Sequence, residues 1–230
     1  FRKMKRVAFY GGSFDPLHCG HLTIARKLTE VFELDEFVFI PAFHAPHKKE
    51  KNPTSAFHRY AMLALATSGE PKIGISKIEL DVPKKPYTFE TLQQLKNELE
   101  DTRIFFVMGA DSWQDITTWR EWETVLTIVN IIVVTRPDYE IGFSHVTEEI
   151  KARIVDLRKD FNAKTQSRED AKQFESGIWN LESGIYITDA VQIDVSATEI
   201  RRKIKVGVTD WHKDVPVEVA KYVEKYELYI

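Results

Sequence analysis

Short apolar runs alternate with helical patterns along the first part of this chain. The run Ile104–Met108 is apolar throughout, which is typical of a central strand that is buried on both faces of a parallel sheet. Similar runs at Arg6–Tyr10, Phe37–Pro41 and Ile131–Thr135 predict further strands, and Lys72–Lys77 predicts a weaker one. Because helical patterns separate these runs, the order predicts a parallel sheet covered by helices on both faces.

Apolar residues at helical spacing indicate where the covering helices lie. In such Rossmann-like α/β folds, ligands bind beyond the carboxyl ends of the strands. Gly11–His21, Ala42–Lys49 and Gly109–Asp111 each follow a predicted strand, so we expect them to form one composite site. The predicted helices are His21–Leu34, Ser55–Thr67, Phe89–Leu99, helical turns from Asp111 to Leu126, Ser196–Ile204 and Pro216–Tyr226.

We expect a single domain over residues 1–230, with an insert at 142–183 and a C-terminal helical part at 195–230. The stretch Thr147–Glu175 is rich in charged residues, yet apolar residues recur at helical spacing from Val146 to Phe161. This spacing predicts an amphipathic helix, followed by a polar surface segment. A short strand is expected at Gly184–Thr188. The sequence indicates no function for the insert.

Composition limits the class of partner. The 230 residues carry a formal net charge of −3, so no global basic field attracts nucleic acid. The single cysteine, Cys19, excludes a disulfide within one chain and zinc sites of the CxxC type. No apolar run reaches the roughly 18 residues of a membrane span, and the first residues lack the apolar stretch of a signal peptide. We therefore expect a cytoplasmic globular protein; the sequence leaves open the oligomeric state, a homo-oligomer included, and whether Phe1–Lys3 are native.

The segment Gly11–His21 has the composition of a phosphate-binding turn. Gly11 and Gly12 directly follow a predicted strand, where they allow a tight turn and close approach to a ligand. His18 and His21 flank the predicted start of a helix, whose unpaired N–H groups and partial positive charge favour anions. A single histidine there is more often a cap or a surface residue, so the prediction rests on the whole segment.

Two further segments are rich in cationic and hydroxyl side chains that could bind phosphate. Pro41–Lys49 holds two histidines and two lysines, and we interpret it as a cationic arm in which Lys48 contacts phosphate, although an exposed basic loop is the alternative. In Val195–Arg202, a predicted helix start carries Ser196 and Thr198, and Arg201 follows one turn later. These groups could hold phosphate oxygens. The alternative is a simple capping box made by Ser196 and Glu199.

Gly11–His21 resembles the (H/T)xGH signature of the nucleotidylyltransferase superfamily. Val195–Arg202 resembles the ISxTxxR signature of the same superfamily, with Val195 in place of Ile. Class I aminoacyl-tRNA synthetases carry a related first signature, but the two signatures together, in this order, are typical of the nucleotidylyltransferases. Other segments resemble bacterial nicotinate-nucleotide adenylyltransferase in particular. They are Pro41–Lys48 (PPHK loop), Tyr87–Leu92, Gly109–Ser112, Trp119–Glu123 and Thr135–Tyr139, with Ala45, Pro86, Ser112 and Asp138 as departures from that family's pattern.

This resemblance implies transfer of AMP from ATP to nicotinate mononucleotide, with release of pyrophosphate. It implies no general base, because the attacking 5′-phosphate is already anionic; its second pKa is roughly 6. The expected catalytic residues are His18, His21, Lys48 and Arg201. Mg²⁺ is expected to be bound through the phosphates of ATP, with no protein ligands. The expected ATP contacts are Gly11, Gly12, Ser13, Phe14, His18, His21, Gly109, Asp111, Ser196, Thr198 and Arg201.

For the mononucleotide, the resemblance implies contacts from His47, Lys48, Thr88, Asp111, Trp119 and Arg136. Structural alternatives remain open at two of these positions. Trp119 and Trp122 could form one core-facing side of a helix, and Asp111 could be a plain helix cap.

Other functions compatible with the same motifs are also considered. The acceptor could be nicotinamide mononucleotide or phosphopantetheine, and the ratio of acid to amide preference cannot be predicted. A synthetase acting on tRNA is disfavoured by the short chain, the lack of a KMSKS string and the lack of basic excess. A non-catalytic nucleotide sensor is disfavoured because His18, His21 and Arg201 are all present.

Overall fold

The structure, a computed structural model, describes residues 4–43, 54–82, 86–135, 140–158, 184–191 and 195–230. Seven strands and eight α-helices are found in these ranges, together with two short 3₁₀ helices at Ile116–Thr118 and Thr209–Asp214. The strands are β1 (Lys5–Gly12), β2 (Glu36–Pro41), β3 (Ile73–Ile75), β4 (Thr102–Gly109), β5 (Asn130–Val134), β6 (Ile154–Asp156) and β7 (Ile185–Thr188).

The α-helices follow the strands in the order that the sequence predicts. The helices are α1 (Cys19–Val31), α2 (Ala56–Thr67), α3 (Thr88–Glu98), α4 (Ala110–Gln114), α5 (Trp122–Ile128), α6 (Glu148–Lys151), α7 (Ala197–Lys205) and α8 (Val217–Lys225).

The strands form one parallel sheet in the order β3-β2-β1-β4-β5-β7-β6. The registers that define it include Phe37 opposite Ile73, Phe105 opposite Asn130, and Ile131 opposite Ile185. The central strands are buried, as a sheet covered on both faces requires. The predicted Rossmann-like α/β fold is therefore confirmed.

The chain divides into two compact units. One contains residues 1–8 and 87–192, and the other contains residues 9–86 and 193–230. The expectation of a single domain over residues 1–230 stays a prediction. The unit with residues 1–8 and 87–192 is called the β4 unit, and the unit with residues 9–86 and 193–230 is called the α1 unit.

In the β4 unit, one buried polar side chain ties three strands together. Asn130 is 3% exposed and begins β5. Its side-chain amide donates to the carbonyl of Ile104 in β4 at 3.1 Å, and its Oδ1 accepts from the N–H of Gly184 at 3.1 Å, next to β7. A buried amide with both functions satisfied specifies the strand register without the cost of an unpaired polar group.

One local prediction is wrong, and a second is confirmed as separate helical pieces. The amphipathic helix expected from Val146 to Phe161 is a helix only at Glu148–Lys151, and Ile154–Asp156 is the strand β6. Ile154 and Val155 are β-branched and pair in parallel with Ile185 and Tyr186 of β7, so sheet pairing overrides the helical spacing.

The helical turns expected from Asp111 to Leu126 are three separate pieces, α4, a 3₁₀ helix and α5. The break occurs because Trp119 is extended (φ −79°, ψ 144°) and Glu121 adopts the left-handed conformation (φ 52°). In the part of the chain that the structure describes, no helix is long and apolar enough to cross a membrane.

Candidate active site

The turn after β1 in the α1 unit is shaped by close packing of Phe14. Phe14 has a positive φ of 50° and is 3% exposed. Its ring packs edge-on against Tyr10, His21 and Phe39, with centroid distances of 5.5, 5.1 and 5.1 Å. A Cβ atom at Gly12 would lie 2.8 Å from the ring atom Cζ of Phe14, so this position requires glycine. Of the predicted contact residues, Gly11 and Gly12 thus end β1, and Ser13 and Phe14 begin the turn that leads toward α1.

The two histidines lie at the first turn of α1. His18 is the N-cap residue, and His21 is the third helical residue. The backbone N–H of His18 donates to Nδ1 of His21 at 3.3 Å. Because this nitrogen accepts, the neutral ring of His21 carries its proton on Nε2 and is a hydrogen-bond donor there. The two rings stack with a centroid distance of 3.6 Å.

Arg201 joins the two signature segments. It lies on α7, and its Nη1 donates to the backbone carbonyl of Asp15 at 2.6 Å, although 186 positions separate the two residues. Its Nη2 donates to Oγ1 of Thr198 at 3.2 Å. The guanidinium, the Thr198 hydroxyl and the turn after β1 therefore form one polar cluster. This contact brings the two segments together in the folded chain.

Ser196 lies at the N-cap position of α7, as the sequence predicts, but the capping box with Glu199 is wrong. The Ser196 side chain makes no capping hydrogen bond to this helix among the described residues. Glu199 instead bonds to Arg202 on the same helix, with Nε to Oε2 at 2.8 Å. The Ser196 hydroxyl at this helix start is therefore not used for capping.

Asp15 is held by several contacts. Its carboxylate is 8% exposed and accepts from the hydroxyl of Tyr229 at 2.6 Å and from the N–H of Thr54 at 3.4 Å. Burial and the neighbouring Asp15 charge both raise the pKa of Tyr229, so this phenol stays neutral and donates the bond. The carboxylate of Asp15 therefore fixes the turn, and its carbonyl orients Arg201.

Arg59, which the sequence motifs do not include, makes four hydrogen bonds near this turn. Arg59 lies on α2 and is 1% exposed. It donates to the carbonyls of Ser13, Ala42, Phe43 and Thr54. A signal was present, because Arg59 shares a helix face with Met62 and Leu63, where an arginine is unexpected.

In the β4 unit, Gly109 ends β4 and is the N-cap residue of α4. Asp111 lies exposed in the first turn of α4, so the alternative that it is the helix cap is wrong. Thr88 is the first residue of α3 and is half-buried. Each of these predicted contact residues thus lies at a helix start, where backbone N–H groups are left without helical partners.

Trp119 and Trp122 do not share a helix face, because the left-handed residue Glu121 separates Trp119 from α5. The helix-face alternative for the two tryptophans is therefore wrong. The indole Nε1 of Trp119 is buried and has no hydrogen-bond partner within the described ranges. The neighbouring guanidinium of Arg120 lies 4.8 Å from the ring centroid of Tyr87, which links this segment to the start of α3.

His47, Lys48 and Arg136 lie outside the described residues, so their predicted contacts stay predictions. Across the ranges that the structure describes, no group of three His, Cys, Asp or Glu residues could hold a metal ion. The side chains gathered at the turn after β1 are mainly N–H and O–H donors. Such donors suit an anion, and a magnesium ion would fit there only if phosphate oxygens supplied its ligands.

Comparison with known proteins decides the family. Residues 9–203 match the cytidylyltransferase-like family. A relative from Thermus thermophilus, named "Probable nicotinate-nucleotide adenylyltransferase", is 33% identical over 97% of this chain and 99% of its own length. One of the same name from Mycolicibacterium vanbaalenii is 30% identical over 99% of this chain and 94% of its own length. The chain belongs to the nicotinate-nucleotide adenylyltransferase family.

Membership of this family makes the chain a nucleotidyltransferase of NAD biosynthesis. The fold agrees with a solved structure, the Plasmodium falciparum nicotinic acid mononucleotide adenylyltransferase complexed with NaAD. The TM-score is 0.69 at 19% identity, over 98% of this chain and 97% of the other. At this identity the comparison supports the fold, and the family assignment rests on the sequence relatives.

Proposed function

We propose that this chain transfers AMP from ATP to nicotinate mononucleotide and releases pyrophosphate, with nicotinate adenine dinucleotide as the other product. The observation that carries the proposal is the hydrogen bond from Arg201 to the carbonyl of Asp15. It gathers a histidine-bearing helix start, a second helix start and a guanidinium, which together suit a triphosphate. A pure nucleotide sensor would not need donors aimed at developing phosphate charge.

The proposed catalysis is positioning and charge neutralisation. Two imidazolium charges at a centroid distance of 3.6 Å would repel, so His18 and His21 act as hydrogen-bond donors rather than as a pair of cations. Nε2 of His21 donates to the phosphoryl group in transit, and the start of α1 adds its partial positive charge. Arg201, Ser196 and Thr198 hold the phosphates of the leaving pyrophosphate. The end of β1 and the turn that follows it bring backbone N–H groups close to ATP, through Gly11, Gly12, Ser13 and Phe14.

For the other residues, the proposal assigns separate tasks. In the β4 unit, Gly109 and Asp111 contact the nucleotide, and Thr88 and Trp119 contact the pyridine ring. The flat indole of Trp119 suits stacking, and its unpartnered N–H within the described ranges suits a polar substituent. His47, Lys48 and Arg136 are proposed, from the sequence, to contact the mononucleotide, with Lys48 also assisting transfer.

We propose that Mg²⁺, bound through the phosphates of ATP rather than by protein ligands, would supply part of the charge neutralisation. The hydrogen-bond donors of His21, Ser196, Thr198 and Arg201 would then bind the remaining phosphate oxygens. We further propose that the chain works in the cytoplasm, where ATP and mononucleotides occur together.

The test is pyrophosphate release by purified protein with ATP, Mg²⁺ and one of three acceptors: nicotinate mononucleotide, nicotinamide mononucleotide or phosphopantetheine. We expect nicotinate mononucleotide to give the highest kcat/KM. Equal or faster turnover with the amide would reject the proposed acceptor. Binding of ATP without turnover of any acceptor would instead favour a sensor.

A further inference from the structure

Four hydrogen bonds from one buried guanidinium connect three separate segments of the α1 unit. Nη1 of Arg59 donates to the carbonyl of Ser13 at 2.7 Å, in the turn after β1. Nη2 donates to Ala42 at 2.6 Å and to Phe43 at 3.3 Å, just after β2. Nε donates to Thr54 at 3.0 Å, just before α2. The contacted carbonyls all belong to segments outside helices and strands.

This arrangement requires an arginine. A guanidinium has donors in a rigid planar fork that can reach carbonyls on several sides, whereas the ammonium of lysine is a single point with three donors. Burial lowers the pKa of Arg59, and the charge of Asp15 acts in the opposite direction. Keeping a cation in such a place is costly unless its hydrogen bonds are satisfied. The four carbonyls provide that satisfaction.

The bonded carbonyls also have a particular place in the chain. Ser13 lies between Gly12, which packs on Phe14, and Asp15, whose own carbonyl orients Arg201. Phe43 and Thr54 are the two described residues that flank residues 44–53. One side chain therefore fixes the turn that precedes His18 and His21, together with both flanks of a second candidate segment.

We propose that Arg59 is a positioning residue, which holds the turn after β1 in the conformation that presents His21 and Arg201 to the triphosphate. The proposal rests on the proposed function, and Arg59 itself does not touch the substrate. A positioning role differs from a purely structural one in a measurable way. If Arg59 acts through His21, then removing His21 must cost less once Arg59 has been altered.

The experiment is a double-mutant cycle with Arg59→Lys and His21→Ala, measured as kcat/KM for pyrophosphate release. We expect Arg59→Lys to lower kcat/KM about 10-fold or more, mostly in kcat. We expect His21→Ala to cost on the order of 100-fold in the wild-type background and less than about 10-fold in the Arg59→Lys background. Equal costs in the two backgrounds would overturn the proposal.

Arg26→Lys is the matched control, because Arg26 lies on α1 of the same unit but its guanidinium pairs with Glu70. It should change kcat/KM less than about twofold. Arg59→Ala with added guanidinium chloride supplies a second measurement. At concentrations below those that unfold the protein, activity should recover with guanidinium and not with sodium chloride.

Stability is followed by thermal unfolding in each variant. Loss of the folded state in both Arg59 variants would assign Arg59 to folding and overturn the proposal. Turnover by the wild-type protein tests the proposed function separately from the positioning role of Arg59. If the wild-type protein is inactive with every acceptor, the proposed function is rejected. In that case the cycle is measured on ATP binding without acceptor, where additive losses would overturn the positioning role independently.

Discussion

The hydrogen bond between Tyr229 and Asp15 allows a quantitative prediction for Tyr229→Phe. The phenol donates to a carboxylate that is 8% exposed, at an oxygen–oxygen distance of 2.6 Å. A hydrogen bond to a charged group contributes about 1.5–3 kcal/mol, and the phenylalanine ring preserves the packing. Because the Thr54 N–H still reaches the carboxylate, we expect a loss of about 2 kcal/mol in the free energy of unfolding. For a chain of this size, that corresponds to roughly 4–8 °C in Tm.

The same variant should change the dependence of stability on alkaline pH. The folded state raises the pKa of Tyr229, so the folded protein keeps a proton that the unfolded chain loses near pH 10. The contribution of Tyr229 to the free energy of unfolding is therefore fully present below about pH 10. It is lost as the pH rises further, by up to about 1.4 kcal/mol per pH unit. Tyr229→Phe should lack this part of the slope, although Tyr186 and Tyr222, whose pKa values are also raised by burial, still contribute.

The assay is urea unfolding at neutral pH and at several values above pH 9. Tyr222→Phe is the control, since its hydroxyl lies 2.9 Å from Nδ1 of His58, which is less buried than Asp15. It should cost less than about 1 kcal/mol. If the two variants lose equal stability and share one alkaline slope, the Tyr229–Asp15 bond does not stabilise the turn as argued.

Two further predictions concern the turn and the histidines. Gly12→Ala should cost about 1–3 kcal/mol in unfolding free energy and lower turnover, because its Cβ would lie 2.8 Å from the Phe14 ring that packs on His21. The control Gly69→Ala, whose Cβ would have no described atom within 4 Å, should change the free energy of unfolding by less than about 0.5 kcal/mol. Similar losses for both variants would contradict the packing argument. His21→Ala should lower kcat about 100-fold or more. His21→Asn keeps an acceptor for the His18 N–H but has no donor at the Nε2 position, so it should be as slow as the alanine variant yet more stable. A loss of kcat of only a few-fold in the alanine variant would remove His21 from the catalytic set.

The sheet and the turn after β1 were predictable because their signals are local. Ile104–Met108 is apolar throughout, and the glycine pair and the histidines lie close together in the sequence. The predicted strand at Lys72–Lys77 is correct in place but shorter, at Ile73–Ile75. Prediction failed where distant partners decide: Ile154–Asp156 is a strand because β7 pairs with it, which helical spacing could not reveal.

Within the candidate site, the sequence indicated the groups that are proposed to bind phosphate and missed the groups that hold this part of the chain in place. Arg201 and His21 belong to recognisable signatures, whereas Arg59 and Tyr229 act through backbone carbonyls and a carboxylate far away in sequence. Ser196 illustrates a different failure. A capping box was compatible with its spacing, but Glu199 has a better partner in the charged Arg202 one turn away.

The contacts of Asp15 have a consequence for the nascent chain. Its partners Arg201 and Tyr229 are synthesised 186 and 214 positions later, and at about 5–20 residues per second the ribosome needs roughly 10–40 s to reach them. During that time the α1 unit is incomplete, because residues 87–192 of the other unit are made in between. An unfinished chain thus carries the glycine pair and both histidines without Arg201, whose guanidinium completes the polar cluster. This cluster can form only after residues beyond 200 have been translated.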